Sequence, residues 1–198
     1  MSERHHTKEI YLGTAAERAA VSLGTESPSL FWYETDNDLL YMWTGTAWSY
    51  MGGPVYGGIS VVGNAVETAI AVAGTAVQVT IFDTNMAAAN MTPDHTNDHV
   101  TVDIAGDYLI VVSATINSVA GADSRFEMTV QKNNGAAAVG ALHVDRNIGG
   151  GASAAGSVSM SGIATLAAND TVEVWIENES NTQNYVAEDV TLNLVRVS

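Results

Sequence analysis

YLIVVSATIN, residues 108–117, puts Tyr108, Ile110, Val112, Ala114 and Ile116 on one side of an extended backbone. A period of two sustained this long marks a half-buried antiparallel strand; a helix would return its apolar residues at three and four. The same period recurs downstream. FEMTVQ (126–131) alternates Phe126, Met128 and Val130 with Glu127, Thr129 and Gln131. TVEVWIEN (171–178) alternates Val172, Val174 and Ile176 with Glu173, Trp175 and Glu177, and VTLNLVRV (190–197) opens the same way with Leu192 and Leu194. AVQVTIF (76–82), HVTVDIA (99–105), AAVGALHV (137–144) and SVSMSGIATL (157–166) bring the total to roughly eight strands, separated by the turn signals AGD, KNNG and AAND. This number and spacing predict an all-β antiparallel sandwich or jelly roll. Its core is expected to hold Tyr108, Ile110, Val112, Phe126, Val172, Val174, Ile176, Leu192 and Leu194. AVETAIAVA (66–74) fits a helix or a strand equally, because its β-branched residues blur the helical period.

Composition agrees with this reading. The 198 residues are 46% hydrophobic and 15% charged, with 18 glycines, which suits many turns and light strands. Cysteine is absent, so neither a disulfide framework nor a cysteine-based metal site is available. Every apolar stretch is broken by Gly, Thr or Asn well before the ~18 residues a membrane-spanning helix needs, so no membrane insertion is expected. Seven Lys and Arg stand against 22 Asp and Glu, a formal charge of −15. The cations Arg4, Lys8, Arg18, Arg125, Lys132, Arg146 and Arg196 are scattered, and such a chain repels a phosphate backbone. No nucleic-acid partner is expected.

Four segments follow along the chain. Residues 1–29 form a polar arm in which TAAERAA (14–20) can make a helical turn. Residues 30–53 form a small aromatic β-meander, LFWYET and LLYMWT around DND and then WSYM after GTA. Residues 54–65, with GGPVYGG spanning 52–58, read as a Gly/Pro linker, and residues 66–198 as the jelly roll. The meander holds seven of the fourteen aromatic residues: Phe31, Trp32, Tyr33, Tyr41, Trp43, Trp48 and Tyr50. A unit this small cannot close a core over seven rings, so cover from outside the segment is expected, as attachment or trimer contacts; the alternative is packing on the jelly roll of the same chain.

The C-terminal part resembles the globular heads of the tumour-necrosis-factor and complement type. GDYLIVVSATIN is similar to their Gly-x-Tyr strand through Gly106 and Tyr108, and FEMTVQKNNG to the following strand and its Asn-Gly turn. SGIATLAANDTVEVWIENES resembles their Leu-x-x-x-Asp-x-Val strand pair through Leu166, Asp170 and Val172, and LNLVRVS their closing strand. The resemblance covers roughly residues 68–198 and implies a TNF-like jelly roll that assembles as a homotrimer. The aromatic window has its own likeness. Tyr33, Thr35 and Asp36, then Leu40 and Tyr41, then Trp43, Gly45, Ala47 and Trp48 resemble a series found in bacteriophage fibre and virion proteins. Together the two imply a virion protein with a trimeric head.

Asp94, His95, Asp98 and His99 lie close together in PDHTNDH (93–99), but Pro93 and the Asn/Asp content predict a solvated turn. Glu34, Asp36 and Asp38 in ETDND lack the glycine and remaining ligands of a calcium loop. Glu177/Glu179 and Glu188/Asp189 are carboxylate pairs of the kind a glycosidase needs, and equally of the kind an acidic surface carries. GGGASAAG (149–156) misses the spacing of a phosphate loop. Asn90, Asn169 and Asn178 sit in glycosylation-type triplets.

No catalytic residue, cofactor or metal site is expected. The sequence points to a non-enzymatic trimeric virion structural protein on the particle exterior, a capsid decoration or short head fibre held on the shell through its N-terminal region. The alternative is the receptor-binding tip or a component of a tail fibre recognising host-surface glycan.

Overall fold

The computed structural model describes residues 10–21, 23, 30–119, 121–151 and 154–198. The remainder of the expected arm, and two residues of GGGASAAG, lie outside the described residues. The chain divides into two compact units, Met1–Pro54 and Val55–Ser198.

The first unit holds β1 (Ile10–Gly13), the helix α1 (Ala15–Ala20), β2 (Phe31–Glu34), β3 (Leu39–Trp43) and β4 (Trp48–Gly52), in a sheet of order β1-β2-β3-β4. The helix forms where TAAERAA places it. Thr14 caps it by accepting the Glu17 N–H, and the Glu17 carboxylate accepts the Thr14 N–H in return, a reciprocal box that satisfies both exposed donors. β1 runs parallel to β2, with Ile10 opposite Phe31 and Leu12 opposite Tyr33, so part of the expected arm belongs to the sheet. β2–β3 and β3–β4 are antiparallel hairpins. The first closes over Thr35–Asp38, with Asp38 at φ 56, a conformation that Asp tolerates at a turn.

The second unit runs β5 (Tyr56–Val61), β6 (Val77–Gln78), β7 (Thr84–Asn85), β8 (Met91–Asp94), β9 (His99–Val102), β10 (Gly106–Ser118), β11 (Ser124–Lys132), β12 (Ala137–Ile148), β13 (Ala155–Leu166), β14 (Thr171–Asn178) and β15 (Tyr185–Arg196). These make two antiparallel sheets. One has the order β13-β10-β15-β5-β7; the other is β12-β11-β14-β9-β8, with β6 also on β14. Tyr108, Ile110, Val112, Phe126, Val172, Val174, Ile176, Leu192 and Leu194 are all buried. Phe126 of one sheet meets Tyr185 of the other edge-to-face at 5.9 Å, which fixes where the two inner faces interlock.

Two expectations are corrected, and one open reading is decided. Residues 54–65 are not a linker throughout: β5 pairs with β15 from Val61↔Val190 to Tyr56↔Val195. Gly58 is required by close approach, since a Cβ there would stand 2.6 Å from the Leu192 carbonyl oxygen, and a Cβ on Gly57 would press on the Met91 sulfur at 3.1 Å. AVETAIAVA forms no helix; Thr68 bridges Tyr185 and Ile70 is buried. AVQVTIF contributes only a two-residue strand, although Val79 and Phe82 both enter the core.

Candidate functional site

Within the first unit the sheet has two unlike faces. Side chains opposite one another across a ladder share a face, so Tyr11, Trp32, Tyr41 and Tyr50 form one row, joined by Trp43 and Trp48. Tyr11 stacks on Trp32 at 5.9 Å, Trp32 meets Trp48 at 6.1 Å, and Trp48 meets Trp43 at 5.5 Å. Arg18 of α1 lies over this face, 3.8 Å from the Tyr41 ring centre, and its Nε reaches Oε1 of Glu34 at 2.5 Å. Glu34 is only 1% exposed; Arg18 and the Asn37 amide compensate its charge. Part of the cover expected for the rings therefore comes from β1 and α1.

The other face carries Phe31 and Tyr33 with Leu40 and Met42, all half-buried, and Ile10 and Leu12 of the edge strand β1, 64% and 70% exposed. The seven aromatic residues of the window are thus split, five against two.

Within the second unit the outward face of the β13-β10-β15-β5 sheet is apolar at one end. Register aligns Ile163, Leu109, Val195 and Tyr56 in one straight row across four strands. They are 66%, 36%, 46% and 39% exposed. Val111 stands next to the row between Ser161 and Asn193. Further along lies a row of hydroxyls, Ser159, Ser113, Thr191 and Ser60, with Ser113 and Thr191 hydrogen-bonded at 2.7 Å. A shallow depression of about 360 Å³ opens here, lined by Ser113, Thr115, Ser157, Ser159, Asp189 and Thr191 among others. None of the residues in these rows is ionisable except Tyr56. The same face carries two carboxylates beside these rows, Asp107 opposite Thr165 and Asp189 opposite Thr115, few for a chain of charge −15. Sequence reasoning assigned the contacts to the aromatic window and missed this row. Its signal was present: LIVV at 109–112 is apolar on both faces of its strand, a pattern of strands covered on both sides.

The carboxylate and histidine candidates resolve into structural bonds. Asp94 accepts the N–H groups of Thr96 and Asn97 and the Asn97 amide, an Asx turn; the Asn97 amide, with the turn N–H groups, holds its carboxyl below the usual range. His99 Nδ1 lies 3.1 Å from the Asn97 carbonyl, and the His95 N–H donates to Asn85. Asp98 is buried and accepts the Phe82 N–H; burial pushes its carboxyl up. Pro93, expected in a loop, sits in edge strand β8, where its missing N–H is tolerated. Asp36 accepts the Ala15 N–H and Asp38 the Tyr33 hydroxyl. Glu188 accepts the Asn117 amide and Asp189 the Gly63 N–H. Of the glycosylation-type asparagines, Asn178 is fully buried.

Glu127, Glu177 and Glu179 bring carboxylate oxygens within 4.8 Å of one another, because register sets Glu127 opposite both Glu177 and Asp145. Arg125 offsets part of this charge, reaching Asp145 at 2.8 Å and Glu179 at 2.7 Å. Burial, and then Glu177, Asp145 and Glu179, push the Glu127 carboxyl up. A carboxyl raised in the folded state contributes stability below the ordinary glutamate range and loses it as pH rises through the folded value. Glu127→Gln is therefore expected to stabilise the fold near neutral pH by a few tenths of a kcal/mol. The gain should shrink in high salt and vanish below about pH 4, as urea titrations at several pH values would measure.

No protein-family model matches the sequence, and no curated protein matches it either. Solved structures do. Eiger TNF from S. frugiperda superposes with a TM-score of 0.51 at 15% identity, over 74% of this chain and 94% of that one. Murine APRIL at pH 5.0 superposes at 0.48 and 14% identity, over 72% of this chain and 99% of that one. With its antiparallel two-sheet order and its likeness to Eiger TNF, the chain has a TNF-like jelly-roll fold.

Proposed function

We propose that this chain is a non-enzymatic, homotrimeric structural protein on the exterior of a bacteriophage virion, a capsid decoration or short head fibre held on the shell by its N-terminal unit. The observation that carries the trimer is the exposed apolar row Ile163–Leu109–Val195–Tyr56 on the outward sheet face. A contiguous apolar patch of this kind marks a surface that another protein covers. Between copies of a chain carrying −15, a face whose apolar row holds no carboxylate, with Asp107 and Asp189 standing beside it, closes at lower electrostatic cost than a more acidic one. The virion assignment rests on the aromatic window and its likeness to phage fibre and virion proteins.

Sedimentation equilibrium is expected to report three times the 20.7 kDa chain mass. Leu109→Lys combined with Ile163→Lys should give a folded monomer, because association would pack lysines into each contact. A stable wild-type monomer at micromolar concentration overturns the trimer.

A second reading, a tail-fibre tip recognising host-surface glycan, draws on the hydroxyl-lined depression, whose Ser, Thr and Asp189 groups suit sugar hydroxyls. It shares its sheet face with the self-association surface, so the two compete. Glycan binding that persists in the trimer and is lost on Ser113→Val would favour this reading.

A further inference from the structure

We infer that the open edge of β1 is a strand-addition site for an extended, cationic, apolar-alternating segment of the partner surface. This deepens the attachment role proposed for the N-terminal unit and rests on it.

The edge is built to accept a strand. The Thr35 N–H donates to the Gly13 carbonyl at 2.9 Å, so Gly13 and, two residues back, Tyr11 turn their backbone groups toward β2. Ile10 and Leu12 then turn theirs outward. Among the described residues no strand pairs with that edge. Nor does it carry the devices that blunt free edges: neither lysine, proline nor bulge interrupts Ile10–Gly13. The side chains beside it extend the same offer. Ile10 continues the row Phe31–Met42 and Leu12 the row Tyr33–Leu40. An added strand would place alternate residues against Ile10 and Leu12 while its backbone extended the ladder.

Charge selects the occupant. The described residues of this unit hold four carboxylates, Glu17, Glu34, Asp36 and Asp38, against one cation, Arg18, which is committed to Glu34. Glu17 and Asp36 stand at the Gly13 end of β1, bonded to Thr14 and Ala15, and Asp38 caps Tyr33 on the apolar face. A second copy paired here would bring carboxylates against carboxylates, in contrast to the apolar row of the jelly roll. A strand carrying Lys or Arg at alternate positions meets them with opposite charge.

The test uses the full chain and fluorescently labelled synthetic peptides. One alternates valine and lysine; one alternates valine and glutamate; a third keeps the lysines but replaces alternate valines with proline, which cannot extend a ladder. Binding of the Val/Lys peptide is expected to exceed that of both others by about tenfold or more. Leu12→Lys should abolish it, while far-ultraviolet circular dichroism and tryptophan emission stay as in the parent chain. Ile10→Lys serves as the second variant should Leu12→Lys disturb the fold. Equal binding of the Val/Glu peptide overturns the charge argument. Equal binding of the proline peptide reduces the contact to adhesion and overturns strand addition. Dimers linked through β1, detected by their loss in Leu12→Lys, assign the edge to a second copy and overturn the inference, as does no binding at all. Particles decorated equally by Leu12→Lys and parent chains would retire the strand-addition site while leaving N-terminal attachment standing.

Discussion

A chain that begins at Val55 should fold, sediment as a trimer of its own smaller mass, and leave particles undecorated. The start point is set by structure. Val55 is buried and its carbonyl accepts the Arg196 N–H, and β5 from Tyr56 onward fills a place between β15 and β7. A chain cut at residue 58 would lose Tyr56 and Gly57 from that strand, opening the backbone of Val195 and Leu194. Cut before Val55, the jelly roll retains all its described strands and its complete buried set, from Ile59 to Leu194. The proposed trimer row is also intact, since Tyr56, Leu109, Ile163 and Val195 all lie beyond the cut. What is removed is the aromatic sheet, the helix and the open edge. Particles incubated with each chain and separated from free protein should carry the full chain and none of the shortened one. Full occupancy by the shortened chain would move the attachment surface onto the jelly roll.

Arg18→Met should unfold the N-terminal unit while sparing the jelly roll. Glu34 is buried beneath α1, with Arg18 Nε at 2.5 Å and the Asn37 amide at 3.2 Å as its compensation. Removing the guanidinium strands a buried carboxylate, which typically costs about 3–5 kcal/mol. The same substitution removes the cation over Tyr41 and the side chain by which α1 meets the ring face. A sheet of four short strands has little stability to spare. Three of the four tryptophans, Trp32, Trp43 and Trp48, report on this unit, so its loss should shift tryptophan emission to the red with little change in the main thermal transition. Arg18→Met with Glu34→Leu should recover most of the loss, because an apolar pair needs no compensation. Trp48→Ala, which breaks ring contacts to both Trp32 and Trp43, should act in the same direction at roughly 3–5 kcal/mol. An unchanged emission spectrum in Arg18→Met would show that Arg18 does not hold the unit together.

Several elements were legible because their information is local. Period-two alternation in 108–117, 126–131 and 171–178 marked strands whose inward residues are buried as a set. TAAERAA marked a helical turn, and α1 forms there behind the Thr14 box with Glu17. KNNG marked a turn, and Asn133 and Asn134 do adopt positive φ there. The illegible parts share one cause, dependence on partners distant in sequence. YGGISV has two glycines where a strand would show side chains, and it is a strand because it pairs with β15, whose backbone stands close enough at Gly58 to exclude a Cβ. Ile10–Gly13 is too short to signal by pattern, and it joins the sheet through parallel pairing with β2.

By itself, the sequence determined the all-β class, the alternating strands, the buried set of the jelly roll and the acidity that disfavours nucleic acid. Only the tertiary structure decided which outward residues stand together. Leu109 and Val195 are 86 positions apart in the chain, and they become neighbours of Ile163 and Tyr56 solely through the register of three antiparallel pairings. A shift of one residue in any of them would turn that strand's outward residues into the core and dissolve the row. Alternation tells each strand which of its faces is inside, a local property of the residues. Register is settled by the simultaneous packing of every inner face, and so the surface this protein offers is written by the core it buries.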